Sequence, residues 1–220
     1  AGALVVADNT FLSPVGQSPL ELGADIVLHS TTKYINGHSD VVGGAVVAKD
    51  PALVDQLRWW ANCLGLTGSP FDSFQTLRGL RTLNVRYRKH EENAAAVMDF
   101  LAGHPLVAKV YYPGLEGHPG HEVAARQQKS FGAMISFELD ADAARVPAFL
   151  DALHLFTLAE SLGGVESLIA HPCTMTHAAM AEEDHRAAGL SEGLLRLSIG
   201  IENAEDLVSD LENGFSALGF

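Results

Sequence analysis

The sequence from His29 to Gly44 reads HSTTKYINGHSDVVGG, and it places a lysine between two apolar runs. The run ADIVL comes before it and AVVA follows, and both favour strands. Lys33 is therefore expected at a strand end, with the hydroxyls of Ser30 and Thr32 just before it and glycines after it. A lysine amine condenses with carbonyls, and neighbouring hydroxyls would suit the phosphate of a phosphorylated aldehyde cofactor. The layout is that of a Schiff-base lysine; the alternative is a solvated loop lysine.

An aspartate follows the first apolar run of the chain. The residues LVVA at 4–7 predict a buried strand, and Asp8 comes directly after it. A carboxylate at the tip of a buried strand is costly unless it meets a cation, and a protonated pyridine nitrogen is such a cation. The alternative is an Asx turn or a helix cap that leads into Ser13 and Pro14.

Further sequence blocks are spread along the whole chain. They are WWAN at 59–62, FDSF at 71–74, LRGLRTL at 77–83, PGL at 113–115, FGAMISF at 131–137, AESLGGVES at 159–167, MTHA at 175–178 and LRLSIGIE at 195–202. Together with DNTF at 8–11 and STTKY at 30–34, they resemble the pyridoxal-phosphate enzymes of cysteine and methionine metabolism. The resemblance implies an α/β protein of the fold-type I pyridoxal-phosphate-dependent transferases, with pyridoxal 5'-phosphate as cofactor.

The resemblance also implies roles for individual residues near the cofactor. Lys33 matches the Schiff-base lysine, whose freed amine acts as general base and acid. Ser30 and Thr32 match the hydroxyls that hold the cofactor phosphate. Asp8 matches the partner of the pyridine nitrogen, and Thr10 is a further cofactor contact on the side of the phenolic oxygen.

A second group of residues concerns the substrate. Arg196 lies within a predicted strand, where an unpaired guanidinium would be costly. A bidentate grip on the substrate α-carboxylate explains it, as the family implies, and a structural ion pair is the alternative. Ser161 and Leu162 match the loop beside that carboxylate. Glu160 precedes this loop, and members that act on cystathionine tend to carry an acid there, which suits the distal ammonium of cystathionine.

Within the family, the blocks around Trp59, Glu122 and Leu155 look most like the bacterial cystathionine γ-synthases. This implies a γ-replacement that joins an O-acyl-L-homoserine, expected to be the O-succinyl ester, to L-cysteine and gives cystathionine in trans-sulfuration and methionine biosynthesis. The alternative is a cystathionine γ-lyase, which gives cysteine, 2-oxobutanoate and ammonia. A second alternative is a non-catalytic, truncated remnant.

Composition and charge exclude other classes of partner. The net charge of −13 and a pI near 5.0 argue against nucleic acid and anionic membranes as partners. No apolar run approaches the ~20 residues that span a bilayer. The two cysteines, Cys63 and Cys173, have no metal-ligand spacing and favour a reduced, cytoplasmic setting. His118 and His121 lack an evident third ligand, so no metal site is predicted.

The order of the predicted elements gives two domains. Residues 1–90 are expected to be the C-terminal portion of a large cofactor-binding domain, and residues 91–220 a small C-terminal α+β domain. Because the first strand begins within three residues, and family members carry a long upstream segment, we expect the C-terminal part of a longer polypeptide. The resemblance further implies small-molecule amino-acid substrates and a homotetramer, a dimer of dimers.

Capping residues and apolar periodicity locate the individual elements. Asp50 and Pro51 predict a helix start, and Asn203 predicts the cap of a final helix with an apolar stripe. Long bridging helices are expected from Leu77 to Leu101. The remaining predicted elements are strands at 107–112, 133–139, 156–159 and 194–199, and helices at 122–129 and 143–153.

Overall fold

The N-terminal part of the chain forms a three-stranded sheet. The computed structural model describes residues 2–219, apart from the side chains of residues 182 and 186. Its first elements are β1 (Val6–Asp8), α1 (Ser13–Gly16), β2 (Ile26–Ser30), a π-helical turn (Thr31–Ile35), here called the lysine turn, and β3 (Gly44–Ala48). The strand order is β1-β2-β3; β1 is parallel to β2, and β3 is antiparallel to it. The lysine turn thus begins where β2 ends.

Three helices connect this sheet to the rest of the molecule: α2 (Pro51–Leu64), α3 (Pro70–Leu80) and α4 (Leu83–Gly103). The Asp50 carboxylate accepts a hydrogen bond from the backbone N–H of Ala52 at 2.9 Å, so the predicted N-cap is confirmed. The long α4 runs through the predicted domain boundary between residues 90 and 91, and that boundary stays a prediction.

The C-terminal part is a five-stranded sheet with helices. Its strands are β4 (Val107–Tyr111), β5 (Met134–Leu139), β6 (Thr157–Leu158), β7 (Leu168–Ala170) and β8 (Leu194–Ser198), in the order β4-β5-β8-β7-β6. The helices are α5 (His121–Gln127), α6 (Val146–Asp151), α7 (Glu182–Ala187) and α8 (Ala204–Ser216). Only β6 and β7 pair in parallel within this sheet. The central strand β8 carries Arg196, which lies opposite Ser136 and Ala170.

The main core lies between this sheet and α4, α6 and α8. Phe149 and Phe215 pack with ring centroids 5.0 Å apart, and the ring of Phe137 lies 6.1 Å from Phe149 and 6.3 Å from Phe215. The alternation of β5 buries every second residue, as its sequence predicts. Asn203 caps α8, and the predicted apolar stripe of that helix is buried. A second, smaller cluster beneath the lysine turn consists of Tyr34, Ile35, Leu83, Tyr87 and Leu162.

Some predicted elements differ from the observed ones. The strand at the start of the chain was expected to be buried, but Leu4, Val5 and Val6 are 51–56% exposed, because β1 has only one neighbouring strand among the described residues. The predicted helix at 143–153 begins as a 3-10 turn over Ala143–Arg145 before α6. The short elements β7 and α7 were not predicted. Within residues 2–219, no helix combines the length and the apolar character needed to cross a membrane.

Candidate active site

Lys33 is held where the lysine turn departs from helical geometry. Its backbone has φ −88° and ψ −134°, outside the helical region, between residues with helical geometry. Its side chain is half-buried, and its Nζ donates a hydrogen bond to Ser161 Oγ at 2.7 Å. Burial lowers the pKa of this amine, and the nearby positive charge of Arg196 lowers it further. A larger share of the amine is therefore uncharged at neutral pH than in a solvated lysine.

Ser161 lies in the loop between β6 and β7 and has a constrained backbone. Its φ is +91°, which is uncommon for a residue with a side chain. Two residues later, Gly163 has φ +74°, and a Cβ there would lie 2.8 Å from the ring of Tyr34. The backbone N–H of Gly163 donates to Ser198 Oγ at 2.9 Å. The loop is thus clamped between the lysine turn and β8, and this holds the Ser161 hydroxyl against Lys33.

Arg196 reaches the same loop from the central strand. Its Nη2 donates to the backbone carbonyl of Ser161 at 3.1 Å. Burial lowers the pKa of the guanidinium, and the negative charge of Glu160 opposes this shift. No described carboxylate lies within ion-pair distance of Arg196, so the alternative of a structural ion pair has no partner among these residues. The remaining donors of the guanidinium are suited to an anion from outside the chain.

Asp8 is held at the end of β1 by a threonine. Its carboxylate accepts hydrogen bonds from the hydroxyl of Thr10 at 2.6 Å and from the backbone N–H of Thr10 at 3.0 Å. These bonds lower the pKa of Asp8, and His29 contributes a smaller attraction. Thr10 Oγ1 also accepts the backbone N–H of Ser30 at 2.9 Å, so it links Asp8 to β2. Asp8 thus forms the turn that was the alternative, and it is exposed, because β1 is not enclosed as predicted.

The two predicted phosphate contacts lie on either side of the start of the lysine turn. Thr32 Oγ1 accepts the backbone N–H of Gly43 at 3.0 Å and donates to its carbonyl at 3.3 Å. The hydroxyl of Ser30 makes no hydrogen bond to a described residue, and both side chains are half-buried. Because β3 pairs with β2 here, Ser30 faces Gly44, whose missing side chain leaves space beside the hydroxyl.

The two residues that flank Ser161 have different surroundings. Glu160 is exposed and close enough to Arg196 to act on its charge. Leu162 is 6% exposed and packs in the cluster beneath the lysine turn. Any contact between Leu162 and a substrate would therefore involve its backbone, whereas the side chain of Glu160 is available.

The structure brings the predicted residues together in two groups. Lys33, Ser161, Arg196 and Glu160 form the first, and Asp8, Thr10 and Ser30 form the second, joined to the first through β2 and the lysine turn. An amine of lowered pKa, a fixed carboxylate and the free hydroxyl of Ser30 are the groups that an aldehyde with a pyridine ring and a phosphate requires. The residues present therefore fit pyridoxal 5'-phosphate.

Two buried residues beside the candidate site, Arg86 and His29, were not identified from the sequence. Arg86 lies in a run of basic residues that is typical of a solvated helix face, yet it is 5% exposed and contacts the lysine turn. His29 precedes Ser30 and is 8% exposed, and burial lowers its pKa while the charge of Asp8 opposes the shift. The only sequence signal for His29 is its place at the end of β2.

The comparison with known proteins decides the family. Residues 1–216 match the family described as Cys/Met metabolism PLP-dependent enzyme. The chain belongs to this family. Pyridoxal 5'-phosphate is the family's cofactor, which confirms the cofactor and the fold class expected from the sequence.

Relatives in this family include synthases and lyases. Cystathionine γ-synthase of Escherichia coli (strain K12) is 63% identical over 216 residues, which are 98% of this chain and 56% of the relative. Cystathionine γ-lyase of Dictyostelium discoideum is 50% identical over 210 residues, 96% of this chain and 54% of the relative. The structure of cystathionine γ-synthase from Xanthomonas oryzae pv. oryzae, in complex with aminoacrylate and cysteine, has a TM-score of 0.96 and 69% identity, and the match covers 99% of this chain and 56% of that one. The chain thus spans just over half the length of its relatives.

Proposed function

We propose that the full-length protein joins an O-acyl-L-homoserine, with the O-succinyl ester preferred, to L-cysteine and forms cystathionine. The observation that carries this proposal is the convergence of Lys33, Ser161 and Arg196, with Glu160 beside them. The identities of 63% and 69% to γ-synthases, against 50% to a γ-lyase, favour the synthase. The reaction removes one γ-substituent from the homoserine carbon chain and replaces it with the sulfur of cysteine.

Lys33 is the group that moves protons. Burial and the charge of Arg196 lower its pKa, and the neutral form of the amine can take a proton from one substrate carbon and return it to another. Ser161 Oγ accepts one N–H of the amine and holds the nitrogen in place between these transfers. A positioned amine of this kind contributes roughly 10²- to 10⁴-fold to a rate.

Arg196 holds the substrate by its α-carboxylate. The planar guanidinium can donate two parallel hydrogen bonds to the two carboxylate oxygens, and its partial burial strengthens that attraction. The contact between Arg196 and the carbonyl of Ser161 ties the carboxylate site to the residue that orients Lys33. The substrate carbons would then lie within reach of the amine.

Asp8, Ser30 and Thr32 would hold the cofactor. Asp8 stays ionised because Thr10 lowers its pKa, so it can accept a hydrogen bond from a protonated pyridine nitrogen. The hydroxyl of Ser30 can donate to a phosphate, and the hydroxyl of Thr32 can do so when it exchanges its hydrogen bond to the Gly43 carbonyl for one to the phosphate. The chemistry that bound pyridoxal phosphate supplies is an electron-withdrawing ring, which stabilises the electron pair left behind when a substrate carbon loses its proton.

Glu160 would bind the distal ammonium of cystathionine, which is the amino group of the incoming cysteine. Its carboxylate is exposed and lies near Arg196, so the two opposite charges suit an amino-acid head group and a carboxylate side by side. A substrate without a distal ammonium gains nothing from this residue. Glu160 is therefore proposed as a specificity determinant.

Product analysis of the full-length protein tests this proposal. With O-succinyl-L-homoserine and L-cysteine we expect cystathionine as the main product, and with cystathionine alone only slow release of cysteine, 2-oxobutanoate and ammonia. Faster release of cysteine, 2-oxobutanoate and ammonia from cystathionine alone would assign the protein to the γ-lyases, of which the Dictyostelium discoideum relative is one. A purified protein that is colourless after incubation with pyridoxal phosphate would instead support the non-catalytic remnant.

We also propose a homotetramer, a dimer of dimers, located in the cytoplasm. Both cysteines are free thiols, with Cys63 exposed, which suits a reducing compartment. Light scattering of the full-length protein measures the assembly, and a mass of four subunits is expected.

A further inference from the structure

Three polar side chains on one face of α4 are buried. Arg86, His90 and Asn93 are 5%, 0% and 0% exposed, and their spacing of four and three residues places them on the same side of the helix. Such positions on a core-facing helix are ordinarily apolar, since a buried polar group is costly unless it is hydrogen-bonded. Each of the three donates to backbone carbonyls outside α4. We call these three residues the polar stripe. Arg86, at one end of the stripe, contacts the lysine turn, whereas His90 and Asn93, toward the other end, contact the residues after β8.

Arg86 holds the lysine turn at one end. Its Nη1 donates to the carbonyl of Tyr34 at 2.9 Å, and its Nη2 donates to the carbonyls of Ile35 at 3.3 Å and Gly79 at 2.8 Å. Its Nε donates to Thr82 Oγ1 at 3.0 Å. The planar fork of one guanidinium therefore fixes the two residues that directly follow Lys33 in the chain.

The chain leaves the lysine turn around this guanidinium. Gly37 has φ +73°, and a Cβ at this position would lie 2.0 Å from Arg86 Nη1. Gly79 of α3 also lies against the end of the turn, because a Cβ there would be 2.2 Å from the carbonyl oxygen of Asn36. The turn is thus packed so tightly on Arg86 and α3 that it cannot shift without breaking these hydrogen bonds.

His90 and Asn93 hold the end of β8. His90 Nδ1 lies 2.6 Å from the carbonyl oxygen of Ile199, and burial lowers the pKa of His90 to about 4, so the neutral ring donates its Nδ1–H. Asn93 Nδ2 donates to the carbonyls of Gly200 at 2.9 Å and Glu202 at 2.8 Å. These carbonyls belong to the residues that come immediately after β8.

We infer that α4 is a spacer that sets the separation between Lys33 and Arg196. Arg86 fixes the turn that carries Lys33, while His90 and Asn93 fix the strand that carries Arg196, so one rigid helix relates the two. The inference rests on the proposed function, in which the amine must reach a substrate carbon while the carboxylate is held by the guanidinium. All three residues of the stripe are positioning residues for this reaction.

The first test changes Arg86, which holds the lysine turn, in the full-length protein. In Arg86→Lys, a single ammonium cannot reach all the carbonyls, so we expect kcat to fall about 10- to 100-fold with little change in KM, as a misplacement of about 1 Å produces. In cofactor-free protein, carbon-13 NMR of reductively methylated lysines should show the Lys33 pKa rising toward that of a solvated lysine, because Lys33 loses its burial and the nearby charge of Arg196. Arg88→Lys, on the exposed face of the same helix, is the matched control.

The second test changes Asn93, which holds the end of β8, the strand that carries Arg196. Asn93→Leu conserves the volume but leaves two carbonyls unpaired, so we expect the dissociation constant of L-norleucine, measured from cofactor absorbance, to rise about 10-fold through displacement of Arg196. The Lys33 pKa should stay at its value in the unchanged protein. Asn84→Leu, an exposed asparagine of α4, is the matched control. If Arg86→Lys or Asn93→Leu does not fold, His90→Gln, which keeps a donor, should raise the same dissociation constant.

The outcomes separate the spacer from the proposed function. If the folded variants lose only thermal stability, while kcat, the L-norleucine dissociation constant and the Lys33 pKa match those of the controls, the contacts of α4 are structural and the inference is wrong. If the unchanged protein does not carry its cofactor on Lys33, it is the proposed function that fails, whatever the variants do.

Discussion

The two ends of the chain differ in how completely they cover their own apolar side chains. Around the five-stranded sheet, Phe137, Phe149 and Phe215 are at most 1% exposed. In the N-terminal half, Trp59 on α2 is 58% exposed and Phe71 on α3 is 69% exposed. No residue of α2 is buried. The C-terminal sheet therefore has an enclosed core of its own, whereas the N-terminal sheet and its helices do not.

We propose that the part of the active site on the poorly covered sheet depends on contacts from further polypeptide or from another subunit. Apolar surface of this extent is ordinarily a contact surface in a stable protein. The residues that would hold the cofactor, Asp8 and Ser30, lie on the poorly covered sheet, whereas Arg196 lies on the enclosed one. We therefore expect substrate positioning to survive in the isolated chain better than cofactor binding does.

The N-terminal and C-terminal fragments of the chain should differ in solubility and in cooperative folding, and this is the largest effect that we expect. Residues 83–220 contain all of the main core cluster and should be soluble and unfold cooperatively. Residues 1–82 should aggregate, because β1 and the apolar faces of α2 and α3 are exposed. For the same reason residues 1–220 alone should be insoluble or colourless, while the full-length protein is yellow. Expression, calorimetry and absorbance measure these outcomes; a soluble, cofactor-binding and active product of residues 1–220 would contradict the account.

A matched pair of phenylalanine substitutions sharpens the comparison. Phe215→Ala removes a ring from the enclosed core and should cost about 3–5 kcal/mol of unfolding free energy. Phe71→Ala removes an exposed ring and should change stability by less than about 0.5 kcal/mol if its surface is solvated. Denaturant unfolding of the full-length protein measures both values. A large cost for Phe71→Ala would show that another chain segment or subunit covers α3 there.

Much of the C-terminal region could be predicted from the sequence. The alternation of β5, the Asn203 cap and the apolar stripe of α8 all follow from patterns within a few residues, and the structure agrees with them. Asp50 identified the start of α2 in the same way. Local patterns sufficed here because burial of these elements is decided within the chain. The strand β7 was missed because its three residues are too few to show a period.

The geometry of the site could not be predicted in the same way. Lys33 and Ser161 are 128 residues apart in sequence, and no local pattern links the amine to that hydroxyl. Arg86 was missed because its basic neighbours indicate a solvated face, and only the tertiary structure shows the carbonyls that it binds. The apolar character of residues 4–7 predicts a buried strand only where further strands cover it, and among residues 2–219 β1 has a single neighbouring strand.

A substitution of Glu160 tests whether this residue binds the distal ammonium of the substrate. Glu160→Val should weaken the use of cystathionine, or of cysteine as acceptor, by about 1.5–3 kcal/mol, a factor of about 10 to 150, because one charge-assisted hydrogen bond is lost. Short γ-substituted substrates without a distal ammonium should be affected much less. The kcat/KM values for both substrate types measure this, with Glu166→Val as a control on the same loop. Equal losses on both types would remove the reason for assigning the cystathionine branch.

The pH dependence of the unfolding free energy tests the burial of His90, which lies between the lysine turn and the C-terminal sheet. Its ring packs on Tyr34, with centroids 5.2 Å apart, and burial holds its pKa at about 4, below its ordinary value of 6.5. As the pH falls below about 6.5, the unfolded chain binds a proton at this site before the folded chain does, so stability is lost down to about pH 4. The loss between about pH 7 and pH 4.5 should be about 2 kcal/mol. His90→Gln should abolish this part of the acid sensitivity, and His154→Gln, an exposed histidine, should not.

The attachment of the cofactor to Lys33 tests the central claim most directly. Borohydride reduction of the full-length protein with bound pyridoxal phosphate, followed by peptide mapping, should place a pyridoxyl group on Lys33. Lys33→Ala should lose the label and lower kcat by at least about 10²-fold, while Lys49→Ala, an exposed lysine after β3, should keep both. A pyridoxyl group on another lysine, or no label at all with the cofactor present, would contradict the account.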